Sequence, residues 1–447
     1  MSGRLVDSLA TTDAMAALFA DESIIGGMLR FETALAQSEA ACGVIPVPAA
    51  EAIARLAGSA AEYDAAAIAR EARHSATPAI PFVRMLTARV AGVDPASARF
   101  VHFGATSQDV LDTALVLALV RARALIAADH GRLFASLMAL SDRHAATVIL
   151  GRTILQPGPP VTFGLKAAIW CDAVSVAGAR LLHAFDAAAR VQFGGAVGTR
   201  AALGAHGDEV ADRLADALGL SRSAAPWHTQ RDSLGSLVGA AGLYVASLGK
   251  LARDVSLMMQ DEVGEVAERG GGSSTMPHKR NPSASAIVLA SVARMPGLVA
   301  AFLSGMSQEH ERGIGGWHAE APTLSAAVQA TASALDASCG LVDHLEVFPD
   351  RMRANIDRTR GVIFAERLTL ALVPTVGRDE AARLVAEALA TIRDGGRTFG
   401  DVIRSMPAIT AVLSADLVST VDSPDAYLGS ADQIRQRLLA AHRPLPT

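Results

Sequence analysis

The residue types best suited to chemistry are concentrated in one short stretch, 270–282. It reads GGGSSTMPHKRNP and contains Ser273, Ser274, Lys279 and Asn281. Lys279 is one of only three lysines in 447 residues. A loop hinged on glycines 270–272 can close over a ligand, exclude water and hold a hydroxyl near a cation. By composition alone, however, the same stretch is also typical of a plain polar connector between helices.

Further polar, glycine-punctuated segments occur at 102–109, 151–160, 225–232 and 308–317. Together they supply hydroxyl, imidazole and guanidinium donors, which suit the binding of carboxylates and of developing negative charge. In the first segment, Thr106, Ser107 and Asp109 are candidate N-cap residues of the helix that follows. Capping explains them completely, but a helix N-terminus with free N–H groups is also a site for a carboxylate. His102 lies just ahead and can bind the same anion.

The order of these residues resembles the fumarase/aspartase superfamily over nearly the whole chain. The matching blocks are GATSQD at 104–109, GRT at 151–153, GSSTMPHKRNP at 272–282 and EHERG at 309–313. Two branches of that superfamily have a loop reading MPHKRNP, the adenylosuccinate lyases and the 3-carboxy-cis,cis-muconate lactonizing enzymes. The stretches GATSQDVLDTA, PWHTQRD and QEHERGIGGW are more similar to the muconate branch.

The resemblance implies a role for each matching residue. Ser273 corresponds to the serine that exchanges a proton with substrate carbon, and Ser274 ranks second for that role. Lys279 and Asn281 correspond to residues that hold the carboxylate beside the reacting carbon, and Met276 shapes the loop. The other implied substrate-binding residues are His102, Thr106, Ser107, Thr153, His228, Gln230, Arg231 and Arg312. Proton removal next to a carboxylate creates a doubly charged intermediate, which needs such donors and cations.

One block departs from the lyase pattern. In the lyases GRT usually continues with histidine, whereas here Ile154 follows Thr153, and no histidine occurs between His144 and His183. An amine leaving group must gain a proton as it departs, so the loss of a general acid disfavours an amine lyase. A lactone that opens releases a carboxylate, with a pKa near ~4, which is stable unprotonated. The departure favours lactone chemistry, although His102 or His228 can replace the missing acid and Pro157–Pro160 can reshape the pocket.

Composition and periodicity predict an all-α fold. Hydrophobic residues make up 51% of the chain but aromatic residues only 4%, a mixture rich in alanine and leucine that favours closely packed helices. Long helical patterns are predicted from about 110 to 147, 163 to 191, 232 to 269, 283 to 306 and 320 to 345. We read 284–306 as a buried helix pair or a kinked helix rather than as a membrane span. Small residues from Gly235 to Gly249 predict close helix contacts.

The predicted organisation is a three-domain fumarase/aspartase-like fold. Residues 1–105 form an N-terminal helical domain, 106–346 a central long-helix bundle, and 347–447 a small C-terminal helical domain. The resemblance implies that the bundle assembles into a homotetrameric core with active sites shared between chains.

Charge and cysteine usage limit the partners. The net charge is −5 without a run of like charges, which disfavours nucleic acid and anionic membranes as partners. Cys42, Cys171 and Cys339 are widely spaced, as expected of inert thiols in the cytoplasm, and the N-terminus lacks a secretory pattern. No dinucleotide, Walker or HExxH motif occurs, so neither a cofactor nor a metal is predicted.

The expected activity is cycloisomerisation of 3-carboxy-cis,cis-muconate, a small polycarboxylate, to a carboxymuconolactone in aromatic-acid catabolism. Ser273 is the expected carbon acid/base. Three alternatives stay open: an adenylosuccinate-type lyase that releases fumarate, a cycloisomerase for another 3-substituted muconate, and a non-catalytic binding homologue. Retention of Ser273, Lys279 and Asn281 together disfavours the last.

Overall fold

The structure is a computed structural model that describes residues 5–270, 276, 279–394 and 396–442. Helices dominate the described residues, which confirms the predicted all-α class. The chain forms two compact units, each assembled from three separate stretches of sequence. Because these units are discontinuous, they do not test the three consecutive domains predicted from the sequence, and that division stays a prediction.

The helices and strands have the following bounds. In the first half of the chain the helices are α1 (Asp13–Leu18), α2 (Asp21–Ala41), α3 (Val47–Ala57), α4 (Ala65–Ser75), α5 (Ala79–Ala91), α6 (Pro95–Ala98), α7 (Ser107–Arg143), α8 (Phe163–Ala188) and α9 (Gly207–Leu218). In the second half they are α10 (Asp232–Met258), α11 (Ser283–Gly305), α12 (Gly316–Asp343), α13 (Pro349–Asp357), α14 (Ala365–Val376), α15 (Arg378–Asp394), α16 (Phe399–Arg404), α17 (Pro407–Thr410), α18 (Ala415–Thr420) and α19 (Ala431–Ala440). The strands are β1 (Val148–Thr153), β2 (Gln156–Thr162), β3 (Val266–Ala267) and β4 (Glu346–Val347).

The first unit comprises Met1–Gly131, Val176–Gly249 and Ile287–Ala337. Within it, α2 packs against α3 and α9. Its buried residues Met28, Phe31 and Leu35 recur every three or four positions, the spacing that places side chains on one helix face. The apolar face of α2 therefore fixes the short helices that precede α7.

Glycines of α10 allow this helix to pack closely against α11 in the first unit. Gly235, Gly242 and Gly249 recur every seven residues, and a Cβ built at Gly249 would lie 2.5 Å from Val292 Cγ2. These contacts confirm the prediction that small residues permit close helix approach. The predicted length of this helix was wrong, because α10 ends at Met258 rather than near residue 269. A turn with Gly264 at φ +59° follows, and then β3.

The second unit comprises Arg132–Ser175, Lys250–Ala286 and Ser338–Thr447. The segment 148–162, predicted only as a break between helices, is an antiparallel hairpin of β1 and β2. Its two-residue turn places Ile154 and Leu155 at φ +51° and +61°, a conformation that β-branched residues rarely adopt. Hydrophobic residues of β1 pack with the core of α14, α15 and α16.

The segment 284–306 is helical, as predicted, but it is not a helix pair. Residues 283–305 form one continuous helix, α11, that contains Pro296, and only 22% of its most apolar 18-residue window is buried. Among the described residues, α10 and α11 are the two helices long and apolar enough to pass a membrane-span test by length and composition, which is weak evidence for a span. The apolar surface that α11 leaves exposed is available for contact with another subunit.

Candidate active site

The N-terminus of α7 has the capping arrangement predicted from the sequence. Thr106 precedes the first helical residue, Ser107, and its backbone N–H donates to Asp109 Oδ2 at 3.0 Å. The carboxylate of Asp109 thus reaches back over the first turn, as in a capping box. The side chains of Thr106 and Ser107 are half-buried and lie at the positive end of a 37-residue helix.

Arg312 lies directly against this helix N-terminus. Its guanidinium donates to Thr106 Oγ1 and, at 3.2 Å, to Ser107 Oγ. Arg312 comes from the polar segment between α11 and α12, about two hundred residues away in sequence. A half-buried guanidinium, two hydroxyls and a helix N-terminus are groups that suit the binding of a carboxylate. We refer to Thr106, Ser107 and Arg312 as the carboxylate site.

Asp109 connects the carboxylate site to a buried histidine. Its Oδ1 lies 2.7 Å from His228 Nε2, and it also accepts from the backbone N–H groups of Gly194 and Gly195 at 3.0 and 2.9 Å. The side chain of His228 is only 3% exposed. In the structure His228 joins the segment before α10 to the start of α7, and its predicted binding of substrate stays a prediction.

Arg231, another predicted substrate-binding residue, is enclosed by two carboxylates. Nη1 donates to Asp112 Oδ2 at 2.7 Å, and Nε donates to Glu320 Oε2 at 2.8 Å. Trp317 Nε1 donates to the other Asp112 oxygen at 3.0 Å, and the guanidinium lies 4.6 Å from the ring centre of Trp227. The side chain is 1% exposed. Its hydrogen bonds point into the protein, so the geometry favours a positioning role over contact with substrate.

The two carboxylates beside Arg231 differ in acidity. Burial raises the pKa of Asp112, but the charge and hydrogen bonds of Arg231 outweigh burial and hold that pKa below its usual range. For Glu320, burial dominates and raises the pKa despite Arg231. Asp112 is therefore the principal counter-ion of Arg231.

His102 is held by a glutamate that the sequence did not single out. Its Nδ1 lies 2.6 Å from Oε1 of Glu32, which is 1% exposed on α2. Burial disfavours the imidazolium, but the charge and hydrogen bond of Glu32 outweigh it and raise the pKa of His102, with Asp109 adding to the effect. His102 has φ +60° and lies four residues before Thr106. A sequence signal existed, because Glu32 is an acidic residue on the apolar face of α2.

The loop 270–282 lies only partly within the residues that the structure describes. Ser273 and Ser274 lie outside the described residues. Lys279 and Asn281 belong to the second unit, where exposed Lys279 borders a cavity of about 560 Å³ together with Arg280 and Phe348. The backbone N–H of Lys279 donates to the carbonyl of Met276 at 2.9 Å. Met276 is 41% exposed, as suits a residue on the surface of a loop.

Two residues without a predicted role anchor the end of the loop. The buried Glu268 carboxylate accepts from the backbone N–H groups of Ala284 and Ser285 at 2.8 and 3.1 Å, and so caps α11. Arg280, next to Lys279, donates to the Glu268 carbonyl and forms two hydrogen bonds with Glu346. These contacts fix the chain on both sides of Lys279 and Asn281. The capping carboxylate lies fifteen residues before Ser283, the first residue of α11, outside the window in which capping motifs are read.

The remaining predicted site residues are at the surface. Thr153 is the exposed last residue of β1, beside Ile154, which is 96% exposed. Gln230 is exposed between His228 and Arg231. Within the first unit, therefore, the structure brings Thr106, Ser107 and Arg312 into direct contact. It does not bring Gln230 into a hydrogen bond with them.

Comparison with known proteins is consistent with this arrangement. A lyase family model matches residues 8–297, and a model of the adenylosuccinate lyase C-terminus matches 361–438. The chain is 43% identical to 3-carboxy-cis,cis-muconate cycloisomerase of Pseudomonas aeruginosa, over 99% of this chain and 97% of that protein. It is 39% identical to nitrosuccinate lyase of Streptomyces davaonensis, over 98% and 94%.

A solved structure is similar to this chain over nearly its full length. The 3-carboxy-cis,cis-muconate lactonizing enzyme of Pseudomonas putida superimposes with a TM-score of 0.93 at 40% identity, over 98% of this chain and 99% of that one. These matches extend over nearly the full length of both partners. The chain therefore belongs to the fumarase/aspartase family of lyases.

Proposed function

We propose that this protein is a 3-carboxy-cis,cis-muconate cycloisomerase. The observation that carries the proposal is its match to four cycloisomerases of that name, at 38–43% identity over at least 93% of this chain. The carboxylate site suits a substrate of that class, because a polycarboxylate needs several cationic and hydroxyl donors. The reaction belongs to aromatic-acid catabolism.

The proposed chemistry requires no cofactor. A carboxylate oxygen of the muconate adds to one carbon of a double bond, and a proton is added to the other. One C–O and one C–H bond form while one π bond and the O–H bond of the proton donor break, and solvent returns a proton to the donor. The fully protonated product is therefore an isomer of the fully protonated substrate. Ser273 is the proposed source of the proton, and Lys279 and Asn281 stabilise the negative charge that develops next to it. Arg312, Thr106 and Ser107 hold a second carboxylate.

The leaving group of the reverse reaction separates this proposal from an amine lyase. Lactone opening releases a carboxylate, which needs no proton at neutral pH, and Ile154 cannot supply one. Release of an amine would require an acid in this block. The same reasoning permits elimination of nitrite, a weak base, and a 39% identical relative is a nitrosuccinate lyase. Nitrosuccinate is therefore the second candidate substrate.

Assays of the purified protein with four substrates separate the alternatives. We expect 3-carboxy-cis,cis-muconate to lose its diene absorbance fastest. Faster turnover of a muconate with another 3-substituent would show that this other muconate is the substrate. Release of fumarate from a succinyl-amine would show an adenylosuccinate-type lyase. Release of nitrite would show a nitrosuccinate lyase. Binding of muconate without turnover of any substrate shows a non-catalytic homologue.

The proposed role of Ser273 has its own test. Ser273→Ala should remove turnover while substrate binding and the thermal unfolding midpoint stay close to those of wild type. Full activity of Ser273→Ala would exclude this serine as the proton donor, and Ser274→Ala would then be examined for the same loss.

We further propose a cytoplasmic homotetramer with active sites that include residues of several chains. Apolar residues stay exposed on α11, where Leu303 is 50% exposed, and at the hairpin tip, where Leu155 is 75% exposed. Exposed apolar surface of this extent is typical of subunit interfaces. Cys42 and Cys171 are free thiols, which suits a reducing compartment.

Sedimentation measurements test the assembly. Leu303→Asp should dissociate the oligomer, whereas the control Leu370→Asp, at a 61% exposed leucine of α14, should leave it intact. A monomeric wild-type protein would contradict the proposal, as would an unchanged oligomer in the Leu303→Asp variant.

A further inference from the structure

A second cationic cavity lies in the second unit, away from the carboxylate site in sequence. It has a volume of about 480 Å³ and is bordered by the hairpin, the first turns of α8 and the C-terminal part of α10. Two of the three lysines in the chain, Lys166 and Lys250, border it, together with Arg152. A volume of this size is within the range of small-molecule sites.

Two of these three cations are already neutralised. Arg152 makes two hydrogen bonds with the buried Glu265 carboxylate, at 2.9 and 2.7 Å. Lys250 Nζ lies 2.5 Å from Asp254 Oδ1, and the other Asp254 oxygen accepts from Trp170 Nε1 at 2.9 Å. The hydrogen bonds of Asp254 are thereby directed to Lys250 and Trp170.

Lys166 is the cation that remains. It is half-buried, and no carboxylate of the described residues lies within ion-pair distance of its ammonium. Burial lowers the pKa of Lys166, Lys250 and Arg152 lower it further, and Asp254 and Glu265 oppose this only partly. Three cations therefore face two carboxylates, and the excess positive charge is on Lys166. A bound anion would remove this imbalance.

Most of the remaining wall is apolar, and it includes the flat indole ring of Trp170. Leu165, Ile169 and Trp170 come from α8, while Pro159 and Pro160 come from β2. Ile169 is 49% exposed although it is a large apolar residue. Such a wall buries the apolar body of a ligand, while a single ammonium binds one anionic group.

We propose that this cavity binds a small monocarboxylate with a flat apolar body, whose carboxylate pairs with Lys166. None of the residues that line the cavity belongs to the carboxylate site, and the proposal does not depend on which reaction the protein catalyses. Thr153 borders the cavity, so its ligand would also contact the block that the family resemblance assigns to substrate binding.

Calorimetric titration of the full-length protein tests the proposal, with benzoate as the probe. Benzamide has nearly the same shape without the charge, and acetate has the charge without the ring. We expect saturable binding of one benzoate per chain, with benzamide and acetate each at least tenfold weaker. Equal affinities for benzoate and benzamide would overturn the proposal, as would the absence of saturable benzoate binding.

Variants assign the binding to Lys166. Lys166→Met should weaken benzoate binding at least tenfold, whereas Lys166→Arg, which keeps the charge, should bind within a fewfold of wild type. Lys166→Gln replaces Lys166→Met if the latter does not fold, as judged by its thermal midpoint. Wild-type affinity in a folded, uncharged variant would overturn the proposal.

A further variant separates this cavity from the carboxylate site. Arg312→Met should leave benzoate binding unchanged if Lys166 is the anchor. If Arg312→Met abolishes binding and Lys166→Met does not, benzoate occupies the carboxylate site and the proposal is wrong. Failure of the muconate assay would leave this result unaffected, because calorimetry measures binding without turnover.

Discussion

His102 Nδ1 lies 2.6 Å from Glu32 Oε1, so the orientation of this imidazole is set by a carboxylate seventy residues earlier in the chain. With Nδ1 engaged, Nε2 is the ring nitrogen left to face a ligand. The neighbouring Glu39 is fully buried, and burial raises its pKa to about 9, with the charge of Glu32 adding to the shift. Glu39 is therefore protonated at neutral pH, which leaves Glu32 as the carboxylate paired with His102.

Replacement of Glu32 should change stability in a pH-dependent way. Because the folded pKa of His102 is raised, the pair stabilises the fold most below the unfolded pKa near 6.5 and loses this effect as pH rises through the folded pKa. Glu32→Gln should lower the thermal midpoint more at pH 6 than at pH 9. It should also lower kcat/KM roughly tenfold, as expected for a lost hydrogen bond to a charged group. Glu51→Gln, on the exposed side of α3, is the control, and an equal loss at both pH values would contradict the assignment.

Replacement of Glu39 should have the opposite pH dependence. A carboxyl with a folded pKa of about 9 destabilises the protein progressively as pH rises from its unfolded value of 4.5 toward 9. Glu39→Gln removes this cost, so its thermal midpoint relative to wild type should rise between pH 6 and pH 8.5. The difference corresponds to about 2–3 kcal/mol over that interval. A constant difference across the range would show that Glu39 does not titrate as described.

Arg312 should contribute to substrate binding and little to stability. Arg312→Met removes a half-buried cation whose hydrogen bonds to other described residues go to the hydroxyls of Thr106 and Ser107. We expect kcat/KM to fall roughly 10–100-fold, the effect of about 1.5–3 kcal/mol of charged hydrogen bonds, with an unchanged thermal midpoint. Arg312→Lys should restore part of the loss. Unchanged kinetics in Arg312→Met would remove this residue from the carboxylate site.

Replacement of Arg231 should instead lower stability strongly and affect substrate binding little. Arg231→Met leaves Asp112 and Glu320 buried without their counter-ion, which should destabilise the protein by about 3–5 kcal/mol in urea unfolding. The double variant Arg231→Met with Asp112→Asn should recover part of that loss, because one uncompensated charge is removed. A stable Arg231→Met protein with a selectively raised KM would show instead that Arg231 binds substrate.

Replacement of Glu268 should lower both stability and kcat, because this carboxylate anchors the end of the loop 270–282. Glu268→Ala removes the carboxylate that caps the first turn of α11, and the loss of such a cap costs about 1–2 kcal/mol. Because Lys279 and Asn281 lie immediately before this helix, kcat should fall as well. Glu22→Ala, in the exposed first turn of α2, is a control for the loss of a surface carboxylate. A full-strength kcat in Glu268→Ala would show that the loop is positioned independently of this cap.

Local patterns were sufficient for much of the helical architecture. Apolar periodicity predicted α7, α8 and α12 within a few residues of their ends, because it reports which helix face is buried. The glycine spacing of α10 predicted close packing for the same reason. The β1–β2 hairpin was not predicted, since Ile154 and Leu155 are unfavourable residues for its turn, and only pairing of the two strands holds them at positive φ.

Motif order identified the candidate site residues, but their individual roles depended on tertiary contacts. Arg231 and Arg312 are both arginines in polar segments and look alike in sequence. Arg231 meets Asp112, 119 residues away, and Glu320 in a buried cluster, whereas Arg312 meets two hydroxyls at a helix N-terminus. An arginine binds whichever acceptors the fold brings near it, and its own sequence position does not specify them. The sequence by itself thus determined the family, the helices and the residue types of the site, while the tertiary structure decided which cation is neutralised and which one is left to bind an anion.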